Sequence, residues 1–139
     1  MAPRLFFLTF LFALFASPLY AQQVSTLEGN RVYCGGTPAL VKFAVINQAA
    51  GNATVVAAVA GKKIRVLSYV VTADTADTLV QFESTTATPI SGDMRFSDNG
   101  ILSANCAPFG CFETLTGELL NVQATTGAVD GHITYAECD

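Results

Sequence analysis

The sequence predicts an all-β chain, an antiparallel jelly-roll-like β-sandwich of about eight strands, on three observations. Short runs rich in Val, Ile, Thr and aromatic residues alternate with period two. Turn residues (Gly, Asn, Asp, Pro) separate these runs every 8 to 12 residues or so. No apolar stripe of helical period reaches helix length: Gln48-Ala49-Ala50 is one turn at most, and Ala57–Ala60 runs straight into Gly61.

Residues 22–39 mix Gln, Ser, Thr, Gly and Asn and read as an extended arm or first strand leading into the loop Cys34-Gly35-Gly36-Thr37-Pro38. Leu40–Ile46 is the first core strand, stopped by Asn47 and Gly51-Asn52. Thr54–Ala60 and the long run Lys63–Thr72 follow, ending at Gly61 and Asp74. In Thr78–Ser84, Val80 and Phe82 share one face while Gln81 and Glu83 share the other. Asp93–Ser97 comes next, and Asp98-Asn99-Gly100 is a turn with positive φ expected at Asn99 or Gly100. The remaining strands are Ile101–Ser103, Cys111–Leu115, Glu118–Thr125 and His132–Cys138. In the last of these Ile133 and Tyr135 oppose His132 and Thr134. The aromatics Tyr33, Phe43, Tyr69, Phe82, Phe96, Phe109, Phe112 and Tyr135 are expected mostly in strand cores.

Residues 1–21 have a different character. Arg4 precedes an apolar run from Leu5 to Ala16 broken only by Thr9, Ser17-Pro18 ends it, and Ala21 offers a small residue before Gln22. That order is the layout of a secretory signal peptide. Kept in place it would be a membrane anchor, but the run is well short of the ~20 residues that span hydrocarbon as a helix, so no stable span is expected after signal removal. The expected organisation is therefore a signal peptide at 1–21, an extended N-terminal arm at 22–39 and a jelly-roll domain at 40–139 in an exported protein (secreted, periplasmic or cell-surface). Arg4 is the only charged residue removed with the signal; the whole chain's formal charge of −4 then becomes −5. The only basic cluster, Lys62-Lys63-Arg65, is too small to track a phosphate backbone, which excludes nucleic acid as a partner.

Four cysteines in an exported chain predict two disulfides, with three pairings open in principle. Cys106-Ala-Pro-Phe-Gly-Cys111 reads as a turn closed on itself, which leaves Cys34 and Cys138 to tie the chain's ends together. A zinc site would want a C-x2-C pair, and there is none.

Sites for chemistry are sparse. His132, the only histidine, would need Ser103 or Ser91 and an Asp to form a nucleophile triad, and no G-x-S-x-G turn exposes a serine; a surface or interface role is the expectation. Glu113 and Glu118 flank a turn and would need a sugar-sized, aromatic-lined cleft to act as a glycosidase pair. Asp74 and Asp77, with Thr72 and Thr75, offer too few oxygens for calcium. Asn52-Ala53-Thr54 is a glycosylation sequon, relevant only to a eukaryotic source. No cofactor, metal or catalytic residue is expected.

The blocks Val56–Val71, Val80–Ser84, Ile90–Met94, Asp98–Ile101, Phe112–Thr114, Gly117–Val122 and Gly131–Tyr135 succeed one another in an order that resembles a small jelly-roll domain. That domain is common in structural proteins of tailed-phage particles, such as head fibres and decoration proteins. The resemblance covers about two-thirds of the chain and rests on the succession, each block being ordinary strand-and-turn chemistry. It implies a jelly-roll sandwich, assembly as a homo-oligomer (typically a trimer), no catalysis, and a place in the virion if the chain is phage-encoded. The signal peptide and the cysteines depart from the pattern, since phage particles assemble in a reducing cytoplasm. The chain accordingly reads as an exported relative of the domain.

Two functions follow as expectations. One is a structural or assembly module. The other is a secreted or envelope binding module that recognises glycans or a surface receptor through the loops Ala73–Thr78, Thr85–Gly92 and Cys106–Cys111. In the last of these, Pro108, Phe109 and Gly110 form a disulfide-pinned tip, the candidate binding loop.

Overall fold

The computed structural model describes residues 31–85 and 87–139, so the expected signal segment and the first half of the expected arm, residues 22–30, lie outside the described residues. Twelve strands follow in chain order among the described residues: β1 (Arg31–Cys34), β2 (Thr37–Leu40), β3 (Lys42–Gln48), β4 (Gly51–Val56), β5 (Lys63–Ala73), β6 (Thr78–Ser84), β7 (Thr88–Pro89), β8 (Met94–Phe96), β9 (Gly100–Asn105), β10 (Phe112–Glu113), β11 (Leu120–Ala124) and β12 (Val129–Cys138). The first large sheet runs β5-β12-β3, with β9 and β10 sharing the free edge of β5. The second runs β4-β11-β6, with β7 and β8 sharing the free edge of β6. Every pairing is antiparallel.

The chain crosses between the sheets as it proceeds: β3, β5, β9 and β12 in the first, β4, β6, β8 and β11 in the second. Early strands pair with late ones, β3 and β5 with β12, β4 and β6 with β11. That is the winding of a jelly roll. The inner faces meet through Ile46, Val66, Val71, Val80, Phe82, Leu120, Val122, Val129 and Ile133. An aromatic trio sits among them, with Phe82 4.9 Å from Phe112 and 5.4 Å from Tyr69. Burying Phe82 completely contributes about 2–3 kcal/mol by transfer from water. At Gly131 in β12 the backbone φ is +152°, and a Cβ there would lie 2.0 Å from the Val70 carbonyl oxygen, so only glycine lets β12 lie this close to β5.

Most sequence-predicted strands are present. Thr54–Ala60 is shifted: β4 starts at Gly51 and stops at Val56, because its partner β11 begins at Leu120, opposite Val56. The larger difference is at residues 31–40, which form the hairpin β1–β2 rather than a single extended segment. Gly35 and Gly36 both have positive φ (60° and 92°), the geometry of a tight two-residue hairpin turn. The hairpin lies on the outer side of the first sheet, where Val32 and Cys34, with Ala39 and Val41, cover Leu67, Ala136 and Cys138.

Candidate functional site

Two disulfides join Cys34 to Cys138 and Cys106 to Cys111, with Cα separations of 5.2 and 5.1 Å. The first pins the β1–β2 hairpin to the end of β12. The second closes a loop whose position differs from a sandwich-end turn. β9 pairs with β5 from Ala73 to Ser68, and β10 takes up the same edge at Val66 and Arg65. The ladder continues across the gap through Cys106 N–H to Leu67 O (2.8 Å) and Cys111 N–H to Val66 O (2.7 Å). Residues 106–111 are thus a covalently closed bulge in one edge strand, which blunts that edge against pairing with another chain.

Inside the bulge the Gly110 N–H donates to Cys106 O, and the Ala107 N–H to Asn105 Oδ1. Gly110 needs its positive φ and its missing side chain, since a Cβ would lie 2.5 Å from Arg65 Cγ. The Ala107–Pro108 peptide is cis. Phe109 is 85% exposed at the tip, rather than in a strand core. Tyr33 and Phe43 are exposed as well, whereas Phe82, Phe96 and Tyr135 are buried.

The three candidate recognition loops do not converge. Ala73–Thr78 lies at one end of the sandwich beside the β11–β12 connection, where Asp74 N–H donates to Ala128 O and Thr78 Oγ1 to Thr126 O. The described part of Thr85–Gly92, residues 85 and 87–92, lies at the opposite end, where Thr85 N–H donates to Leu119 O. Cys106–Cys111 sits on the flank.

The reactive groups are also dispersed. Ser103, Val70 and His132 stand in one row across β9, β5 and β12. Two strand spacings, about 9.6 Å, therefore separate Ser103 from His132, beyond hydrogen-bond reach. Ser91 lies on the other sheet, its Oγ accepting from the Phe82 N–H. Glu113 accepts from Lys63 Nζ (3.0 Å) and from Arg65 Nε and Nη2 (3.0 and 2.9 Å), while Glu118 accepts from Ser84 Oγ. Burial pushes the Glu113 carboxyl up, but its hydrogen bonds and charge attraction to Lys63 and Arg65 outweigh burial and hold it below the usual carboxylate range. With Lys62 bonded to Asp139, every member of the basic cluster is paired with a carboxylate. Asp77 pairs with Arg95, and Asp74 accepts from the Ala128 N–H and from Thr75 Oγ1. Among the described residues no group of three or more His, Cys, Asp or Glu is placed to hold a metal ion.

What the fold does bring together is a surface. The register across β9, β5, β12 and β3 builds three rows on the outer side of the first sheet: Ile101, Thr72, Asp130, Asn47; then Ser103, Val70, His132, Val45; then Asn105, Ser68, Thr134, Phe43. Phe43, Val45 and Ile101 are 61%, 62% and 71% exposed, and Asp130 is the only residue of the twelve with a formal charge at neutral pH. His132 stacks on Phe43 with ring centroids 5.4 Å apart, and Ser68 and Thr134 share a 2.7 Å hydroxyl contact. The second sheet differs on its outer side. Gln81 Nε2 donates to Asp93 Oδ1 and Asn52 Nδ2 to Glu83 Oε2, and Arg95 and Gln123 stand nearby. One side of the sandwich is polar and internally bonded; the other is weakly charged, with large apolar side chains exposed among Ser, Thr and Asn.

Compared with known proteins, the chain matches no family model, no curated protein and no solved structure.

Proposed function

We propose that this chain is a non-enzymatic structural or assembly module, exported and self-associating, similar in role to the virion jelly rolls that its sequence resembles. The observation that carries the reading is the weakly charged outer side of the first sheet. A face with one formal charge among twelve residues and three large apolar side chains standing free is what a protein keeps for contact with another protein surface. The two disulfides support export, since they persist in an oxidising compartment. Light scattering on the chain produced through an oxidising secretory route tests the reading. A homo-oligomeric mass is expected; a strict monomer up to the solubility limit would overturn it.

The alternative, a binding module for glycans or a surface receptor, is favoured by one observation. Phe109 stands 85% exposed on a loop already closed by a disulfide, so little conformational entropy remains to be lost on contact. Glycan-array binding that disappears in Phe109→Ala would select this reading.

A further inference from the structure

We propose that the bare half of the first sheet's outer face receives the β1–β2 hairpin of a second copy of this chain, in a twofold-symmetric pair; the inference rests on the assembly reading above.

The face has a step. At the Cys138 end the chain's own hairpin covers Leu67, Ala136 and Cys138. The other half, with Phe43, Val45, Val70 and Ile101, has no layer over it among the described residues. The hairpin itself is apolar on both sides. Val32, Cys34 and Ala39 point to the sheet, while the cross-strand pairs Tyr33–Pro38 and Arg31–Leu40 point away from it. Tyr33 is 70% and Leu40 61% exposed. A two-stranded ribbon with apolar residues on both sides fits a layer between two sheets.

A twofold axis lying in the plane of the contact and perpendicular to the strands satisfies both halves at once. It reverses the strand direction, so each hairpin lies over the other copy's bare half, and the two hairpins sit side by side in one middle layer. An axis along the strands would instead set hairpin against hairpin and hold the bare halves apart.

Charge and area agree with a second copy as the occupant. The bare half carries one carboxylate, Asp130, and the outward side of the hairpin one cation, Arg31, so each contact joins opposite signs although the chain as a whole is acidic. The exposed parts of Tyr33, Leu40, Phe43, Val45 and Ile101 amount to on the order of 500–600 Å² per copy. With the Ser, Thr and Asn side chains between them, the contact approaches the ~800 Å² per partner of a stable interface. The resemblance to virion jelly rolls implies three copies; the stepped face fits two.

The test is sedimentation and light scattering on the full secreted chain. Val45→Glu and Tyr33→Glu change exposed residues on the two halves of the contact, Gln123→Glu is the control on the opposite sheet, and melting curves check that each variant folds. The expected result is a two-copy mass for the natural chain and for Gln123→Glu. The dissociation constant should rise about tenfold or more in each of Val45→Glu and Tyr33→Glu. A three-copy mass, or a pair indifferent to both Val45→Glu and Tyr33→Glu, would overturn this inference while leaving the assembly reading standing. A natural chain that stays monomeric would overturn both.

Discussion

Replacing Cys34 and Cys138 together by alanine should be the most damaging pair of changes available outside the core between the two sheets. The two lie 104 residues apart in sequence, and in the chain-entropy model a crosslink closing a loop of that length stabilises by about 4.7 kcal/mol. The other disulfide spans 5 residues, and the same relation gives about 2 kcal/mol. Against a typical total of roughly 5–15 kcal/mol, the first loss removes a third of the stability or more, the second much less. For a domain of this size the melting temperature should fall by about 15–20 °C in Cys34→Ala/Cys138→Ala and about 6–9 °C in Cys106→Ala/Cys111→Ala. The hairpin adds to the first figure, because freeing it uncovers Leu67 and Ala136. Calorimetry on the two double variants gives the comparison. If the short-loop variant melts lower than the long-loop one, loop length is not what governs these crosslinks and the reasoning fails.

Gly131→Ala should cost about 3 kcal/mol, since the new Cβ meets the Val70 carbonyl at 2.0 Å; a loss under about 0.5 kcal/mol in denaturant titration would contradict that contact. Glu113 links stability to pH: its folded pKa is lowered, so its contribution is fully present above the ordinary carboxylate value of about 4.3 and fades as pH falls through the lowered folded value. Because the carboxyl is about a third exposed, the effect should be no more than about 0.5–1 kcal/mol, and Glu113→Gln should flatten the stability profile below about pH 4.5; an unchanged profile would contradict the pairing. Phe109→Ala should leave the melting temperature nearly unchanged, because so exposed a side chain buries little; a drop of more than a few degrees would show that the tip is folded back onto the sandwich.

The strands were legible because their cause is local. Val80 and Phe82 against Gln81, or Leu120 and Val122 against Gln123, show the period of two directly in sequence. The differences have mostly non-local causes. Ala57–Ala60 is apolar enough for a strand, but β11 begins at Leu120 opposite Val56 and leaves those residues no partner. The β1–β2 hairpin could have been found, since Gly35-Gly36 between Cys34 and Thr37 is a two-residue turn signal; the surrounding Gln, Ser, Asn and Thr masked it. The Cys106–Cys111 loop is legible in sequence as a turn closed by its own disulfide, and the structure has it so. That it interrupts a single edge strand follows only from the two registers on β5, which no spacing rule reveals.

The candidate surface was harder to read, for a reason that belongs to jelly rolls as a class. Phe43 and Val45 flank Ala44, and Ile101 sits beside Leu102, so each run reads as uniformly apolar and its residues are naturally assigned to a core. Alternation separates inside from outside only when polar residues mark the outer positions. Here they do so in β6 and β11 but not at Phe43 and Val45 of β3 or at Ile101 of β9. The lapse is informative. In the second sheet Gln81, Gln123 and Arg95 hold the outer side in water, and nothing in folding requires the first sheet to omit such residues. A sandwich that needed only to fold would be more soluble with Thr or Lys at positions 43, 45 and 101. Large apolar side chains concentrated on the outside of one sheet, beside a hairpin apolar on both sides, point to a requirement beyond folding, and contact with another protein surface meets it.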